Sequence, residues 1–231
     1  MTRTARELLE SVTGKLAPDP HANRLLPLIA RGAAQLGTLA ALALEQRHVI
    51  AADHRAFVHL ARRSAAGTGT SAADAASAAF FEMLAEGEVV AGDRLPAFAA
   101  AVGAGEARAA EYEPLADCQA YPAYVAWLAL NGEPADVVLA LGANIAAWGG
   151  YCETITEALR HHYGFDDEVC GFFDFFAVPA PDLETKALAA VQAGLDAERI
   201  SLDDVLRHGR LLQAYEEKFW HALWELDQRV A

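Results

Sequence analysis

Apolar residues recur at helical spacing almost from one end of this chain to the other. No stretch alternates apolar and polar residues with the period of two that marks a half-buried strand. That pattern constrains the fold more than any single motif. Composition agrees: alanine dominates, with leucine, glutamate and arginine behind it, and these residues lose little on entering a helix. At 231 residues the chain is long enough for one cooperative core and short for two. The expectation is a single all-α domain over residues 1–231, organised by helix packing, with no internal repeat.

Proline, glycine and capping residues predict about eight helices. An amphipathic helix over 4–16 carries Leu8, Leu9, Val12 and Leu16 on one face and ends at Pro18 and Pro20. Helical periodicity continues over 21–44, broken near Gly32 or Gly37, and a strong segment over 45–63 has Val49, Ile50, Ala52, Ala56, Phe57 and Leu60 as its stripe. Residues 67–70 read as a loop, and Ser71 as the N-cap of a helix over 72–87. A break near Gly92 separates that helix from one over 95–102. Residues 103–113 read as loop, 114–130 as helix, 131–132 as turn, and 134–162 as a long helix with proline at its first position. Residues 163–181 read as aromatic-rich and irregular, followed by helices over 182–197 and 203–230.

Charge narrows the function classes. Acidic residues number 32 against 18 basic, a formal charge of −14 that repels phosphate backbones. The only clear basic pair is Arg62-Arg63, so nucleic acid is not an expected partner. The three cysteines, Cys118, Cys152 and Cys170, form no even disulfide framework and no CxxC, which suits a reducing cytoplasm. The first 16 residues are charged throughout and carry no signal-peptide core. The most apolar stretch, 25–44, is interrupted by Arg31, Gln35 and glycines, so no membrane partner is expected.

Two segments ninety residues apart carry the chemistry. One is Tyr121-Pro122-Ala123-Tyr124 with the apolar stretch that follows to Asn144 and Trp148; the other is Tyr215-Glu216-Glu217-Lys218-Phe219-Trp220. Each sets polar-tipped aromatics and a carboxylate or amide inside a segment that reads as buried helix. Such groups are costly to bury without partners, so they point to an enclosed polar cavity.

Taken with two further pieces, these segments resemble the TenA family, also called thiaminase II, of the haem-oxygenase-like helical fold. The further pieces are Val49-Ile50-Ala51-Ala52-Asp53-His54-Arg55-Ala56-Phe57 and Ala140-Leu141-Gly142-Ala143-Asn144-Ile145-Ala146-Ala147-Trp148. The order and spacing of all four agree with the family. The resemblance implies a haem-oxygenase-like bundle with a central pocket, a homo-oligomer, and chemistry on an aminopyrimidine, either thiamine or a degraded thiamine. It implies no cofactor. Carried over by position, Asp53 is the ring-binding carboxylate, Tyr121 a pocket tyrosine and Glu216 the proton-moving glutamate. A carboxylate suits the amidine-like edge of such a ring, and aromatic walls stack on it and exclude water.

The sequence departs from the family where its reaction starts. Asn144 stands at the position of the nucleophilic cysteine, and an amide cannot replace a thiolate. Ala56 stands where the family has a tyrosine, and Trp148 replaces another. Cys152 lies two helical turns beyond Asn144, roughly 12 Å along the axis, and is a poor substitute. The expected site is therefore Asp53 and Glu216 as acid–base or ring-recognising groups, Tyr121 and Trp148 as walls, and Asn144 as a recognition amide. The ligand would be a small planar heterocycle, hydrolysed or deaminated through a carboxylate-activated water. The alternatives are a non-catalytic binding or regulatory protein and a metal-dependent oxidase on the same fold.

The oxidase alternative rests on Glu45-x-x-His48, one turn apart on a helix, with Glu153, Glu157, His161 and His162 as further candidates. Solvated surface charge is the favoured explanation of these residues, and no metal ligand is assigned. The run Phe172-Phe173-Asp174-Phe175-Phe176 is expected to plug the core at the pocket end, with a lid or a dimer contact as the other readings.

Overall fold

A computed structural model describes residues 4–19, 21–66 and 71–230. The described residues form ten helices and no strand. In chain order they are α1 (Ala5–Leu16), α2 (Leu26–Ala30), α3 (Leu36–Ala65), α4 (Ala72–Ala101), α5 (Glu106–Glu111), α6 (Ala116–Asn131), α7 (Pro134–His162), α8 (Asp167–Ala177), α9 (Pro181–Asp196) and α10 (Leu202–Val230). The all-α expectation holds. The loop expected over 67–70, and Pro20, lie outside the described residues.

Several boundaries differ from the sequence reading. The break near Gly92 does not occur: α4 runs for 30 residues through Gly87, Gly92 and Pro96. Gly92 faces Ile50 of α3, where a Cβ would meet it at an ordinary contact distance of 3.6 Å. The stretch from 103 to 113, expected as loop, contains α5. The stretch from 163 to 181, expected as irregular, contains α8, whose N-cap Asp166 accepts from the Val169 amide at 3.0 Å. The break at Gly32 does occur, between α2 and α3. Its φ of 69° and the close approach of His162 both demand glycine.

Four helices of 29 or 30 residues, α3, α4, α7 and α10, carry the bundle. The helix α3 packs against α4 and α6, and α10 against α6 and α7. Two hydrophobic clusters result. One gathers Leu39, Leu42, Phe98, Phe173 and Trp220; the other gathers Val12, Phe81, Val138, Val191 and Leu212. Tyr121 packs against both. The three cysteines are free and buried. By length and composition α7 would suffice to cross a membrane, but more than half of its apolar window, 56%, is buried inside the bundle.

Polar anchors from distant helices hold the ends. Glu45, fully buried on α3, accepts from Tyr112 Oη, the Leu115 amide and Gln119 Nε2, each at 2.7 Å. It thereby caps α6 from another helix, with a carboxylate at the end that favours negative charge. Asp227 of α10 accepts from the Gln35 amide at the start of α3 at 2.8 Å. Arg160 of α7 clamps Asp174 of α8 at 2.6 Å.

Candidate functional site

The middles of α3, α4, α6, α7 and α10 surround a cavity of about 480 Å³, and α8 and α9 close one side of it. Its walls come from both hydrophobic clusters and are mostly apolar. All five residues singled out from the sequence, Asp53, Tyr121, Asn144, Trp148 and Glu216, line it. Asp53, Asn144 and Glu216 are buried and mark the floor, whereas Val90, Val178, Ala180 and Pro181 are exposed and mark the mouth.

Helix geometry explains the convergence. Asn144 and Trp148 lie four residues apart on α7, and Glu216 and Trp220 four apart on α10, so each pair shares a face. The rings of Trp148 and Trp220 stand 6.2 Å apart, and Phe176 meets Trp148 edge-on at 5.7 Å. On α6 only Tyr121 turns into the cavity. Tyr124 and Tyr215 pair with each other at 5.2 Å, and Tyr124 shares a hydrogen bond with His208 at 3.0 Å. The two sequence segments are thus split between the cavity and an aromatic contact outside it.

A hydrogen-bonded chain runs along the floor. Tyr121 Oη donates to Asn144 Oδ1 at 2.9 Å, and Asn144 Nδ2 donates to Glu216 Oε2 at 2.5 Å. Trp220 Nε1 approaches Glu216 Oε1 at 3.4 Å. The Asn144 amide is engaged on both sides, which fixes its orientation. Burial pushes the Glu216 carboxyl up to about 7, against the pull of its bonds from Trp220 and Asn144. Burial likewise holds the Tyr121 hydroxyl well above the ordinary phenol range, so it remains a donor.

Asp53 is the exception. It is 4% exposed, and its Oδ1 has no hydrogen-bond partner in the protein. Burial raises its carboxyl to about 8. Glu88 of α4, which sequence reasoning missed, lines the same cavity. Burial and the charge of Asp53 hold Glu88 well above the usual carboxylate range. The signal that could have found it is spacing: Glu88 continues the face of the buried Phe81 and Ala85, where a carboxylate is out of place.

The remaining candidates fall elsewhere. His48 is exposed while Glu45 is buried and holds three donors, so the two form no common site. No group of three or more histidines, cysteines or carboxylates is placed to hold a metal among the described residues. Phe172 and Phe173 are fully buried and Phe176 faces the cavity, as a core plug at the pocket end requires. Cys152 is buried beneath the site and does not line it; burial and the charge of Glu216 hold its thiol far from ionisation.

No protein-family model matches the chain, and no curated protein matches it. Solved structures do. A TenA homologue from Pseudomonas syringae pv. tomato superimposes with a TM-score of 0.73 at 9% identity, over 96% of this chain and 91% of that one. A TenA homologue protein from P. horikoshii gives 0.64 at 16% identity, over 96% of both chains. A domain of unknown function with a haem-oxygenase-like fold from Shewanella denitrificans gives 0.67 at 13% identity, over 97% of this chain and 90% of that one. At these identities the likeness speaks for backbone architecture: the chain has the haem-oxygenase-like, TenA-like all-α fold.

Proposed function

We propose that this protein binds a small planar nitrogen heterocycle, of the class of the thiamine aminopyrimidine, in the central cavity and hydrolyses it through a water activated by Glu216. The observation that carries the reading is the chain Tyr121–Asn144–Glu216 on the floor of an aromatic-walled cavity. Trp148, Trp220 and Phe176 offer faces to a flat ring. Glu216, raised to about 7, is matched to proton transfer near neutrality: ionised, it takes a proton from water and returns it to the departing group. Asn144 orients that carboxylate and replaces no thiolate chemistry. The free, buried cysteines support a cytoplasmic setting.

The test is turnover of thiamine and free aminopyrimidines by the purified protein. Glu216→Gln is expected to lower kcat by about 100-fold or more, the usual range for a general base. In the parent protein, kcat rises with pH through about 7, because the ionised form is the active one. Cys152→Ala leaves the rate unchanged. Product formation that persists in Glu216→Gln with the same pH profile removes Glu216 from the chemistry. Asn144 at the nucleophile position favours a second reading, a binder without turnover. Saturable binding of an aminopyrimidine with no product over many hours would establish it.

A further inference from the structure

We propose that Glu88 is a specificity-determining residue, forming with Asp53 the recognition end of the cavity for an organic cation of the amidinium class. This deepens the reading of the cavity as a ligand site and rests on it. Among the described residues that line the cavity there are five carboxylates, Asp53, Glu86, Glu88, Asp182 and Glu216, and no lysine, arginine or histidine. No basic side chain in the wall answers these acids. Asp53 lines the cavity, and its Oδ1 is buried and has no partner, a state that costs free energy unless a donor arrives.

The chemistry of the donor follows from the neighbours. Two carboxylates from two adjacent helices meet the parallel N–H groups of an amidinium better than a neutral amide, which offers one carbonyl where a donor is needed. Aromatic faces nearby, Trp148 and Tyr121 among them, favour a flat organic cation over a hydrated metal ion. Burial and the charge of Asp53 disfavour two ionised carboxylates side by side, and a bound cation relieves that opposition. On its outer side Glu88 borders a surface groove with Arg47 and His54. Arg47 is paired with Glu106 at 2.8 Å, and neither of them lines the cavity.

The experiment measures binding of benzamidine, benzamide and 4-aminopyrimidine to the full chain at pH 7.5 by calorimetry, with thermal shift as a second readout. The first probe is a flat amidinium, the second its neutral counterpart, and the third a neutral planar heterocycle. Benzamidine is expected to bind at least about tenfold more tightly than benzamide, the worth of one charge-assisted hydrogen bond. Glu88→Gln is expected to erase most of that preference while leaving benzamide unchanged. Its melting temperature should not fall, since the substitution removes like-charge opposition. Glu88→Met, which keeps the volume without an amide, must lose the preference too. Benzamide or 4-aminopyrimidine binding as well as benzamidine overturns the cation assignment and leaves the heterocycle site standing. An undiminished benzamidine preference in both Glu88 variants removes Glu88 from recognition. Failure of all three probes to bind defeats the ligand-site reading, and the inference with it.

Discussion

At the scale of single residues, Asn144 decides how the floor of the cavity works. Its amide joins a hydroxyl donor to a carboxylate acceptor, so its removal strands both. Asn144→Ala is expected to lower stability by about 2–3 kcal/mol, the cost of leaving buried polar groups unmatched, measured by urea unfolding. It also deletes a bond that favours ionised Glu216, so the acid limb of the kcat–pH profile should move above about 7. An unmoved limb would mean that the contact does not control proton affinity. Asp53 and Glu216 were legible in the sequence because the family resemblance places them and apolar or aromatic residues stand close by in each helix. Glu88 was not: Gly87 and Gly92 read as a helix break, and a residue beside a break has no assigned face.

At the scale of helices, the anchors matter more than propensity. The start of α6 has no side chain of its own to cap it; Glu45 of α3 does that work across the bundle. This arrangement sets where Tyr121, one turn and a half further along, enters the cavity. A carboxylate can accept all three donors, whereas an amide presents one N–H₂ face to a donor. Glu45→Gln should therefore cost about 1–3 kcal/mol and speed hydrogen exchange at the Leu115 amide. Protection equal to the parent's would show that α6 holds its own end. No local pattern discloses such a contact, because its members lie 67 to 74 residues apart. The helix α8 was hidden for a different reason: it is only 11 residues long, and four phenylalanines in five positions read as an aromatic cluster before they read as a helical face.

At the scale of the whole molecule, the buried acids set the response to pH. Asp136, raised to about 6 chiefly by burial, joins Asp53, Glu88 and Glu216 in holding protons that the unfolded chain gives up. Groups raised in the folded state contribute stability that is fully present below their unfolded range and lost as pH climbs through their folded values. Asp74 and Asp174 act in the opposite sense. Their bonds to Arg199 and Arg160 lower them, so their contribution fades on acidification. The melting temperature is therefore expected to fall as pH rises from about 5 to about 8, and Asp53→Asn should flatten the upper part of that slope. A melting temperature that holds or rises over this interval would contradict the buried acids. The overall class was legible because helical periodicity runs through the chain unopposed; the position of the cavity was not, since it depends on which faces of five distant helices meet.

The rim of the cavity has a genetic consequence. Besides Val90 of α4, its contacts Val178, Ala180, Pro181, Asp182 and Leu183 belong to the short junction between α8 and the first turn of α9. A handful of neighbouring codons therefore governs most of the entrance, separately from the acids below. Swapping this cassette between homologues is a route to altered reach for larger guests, with the scaffold left as it is.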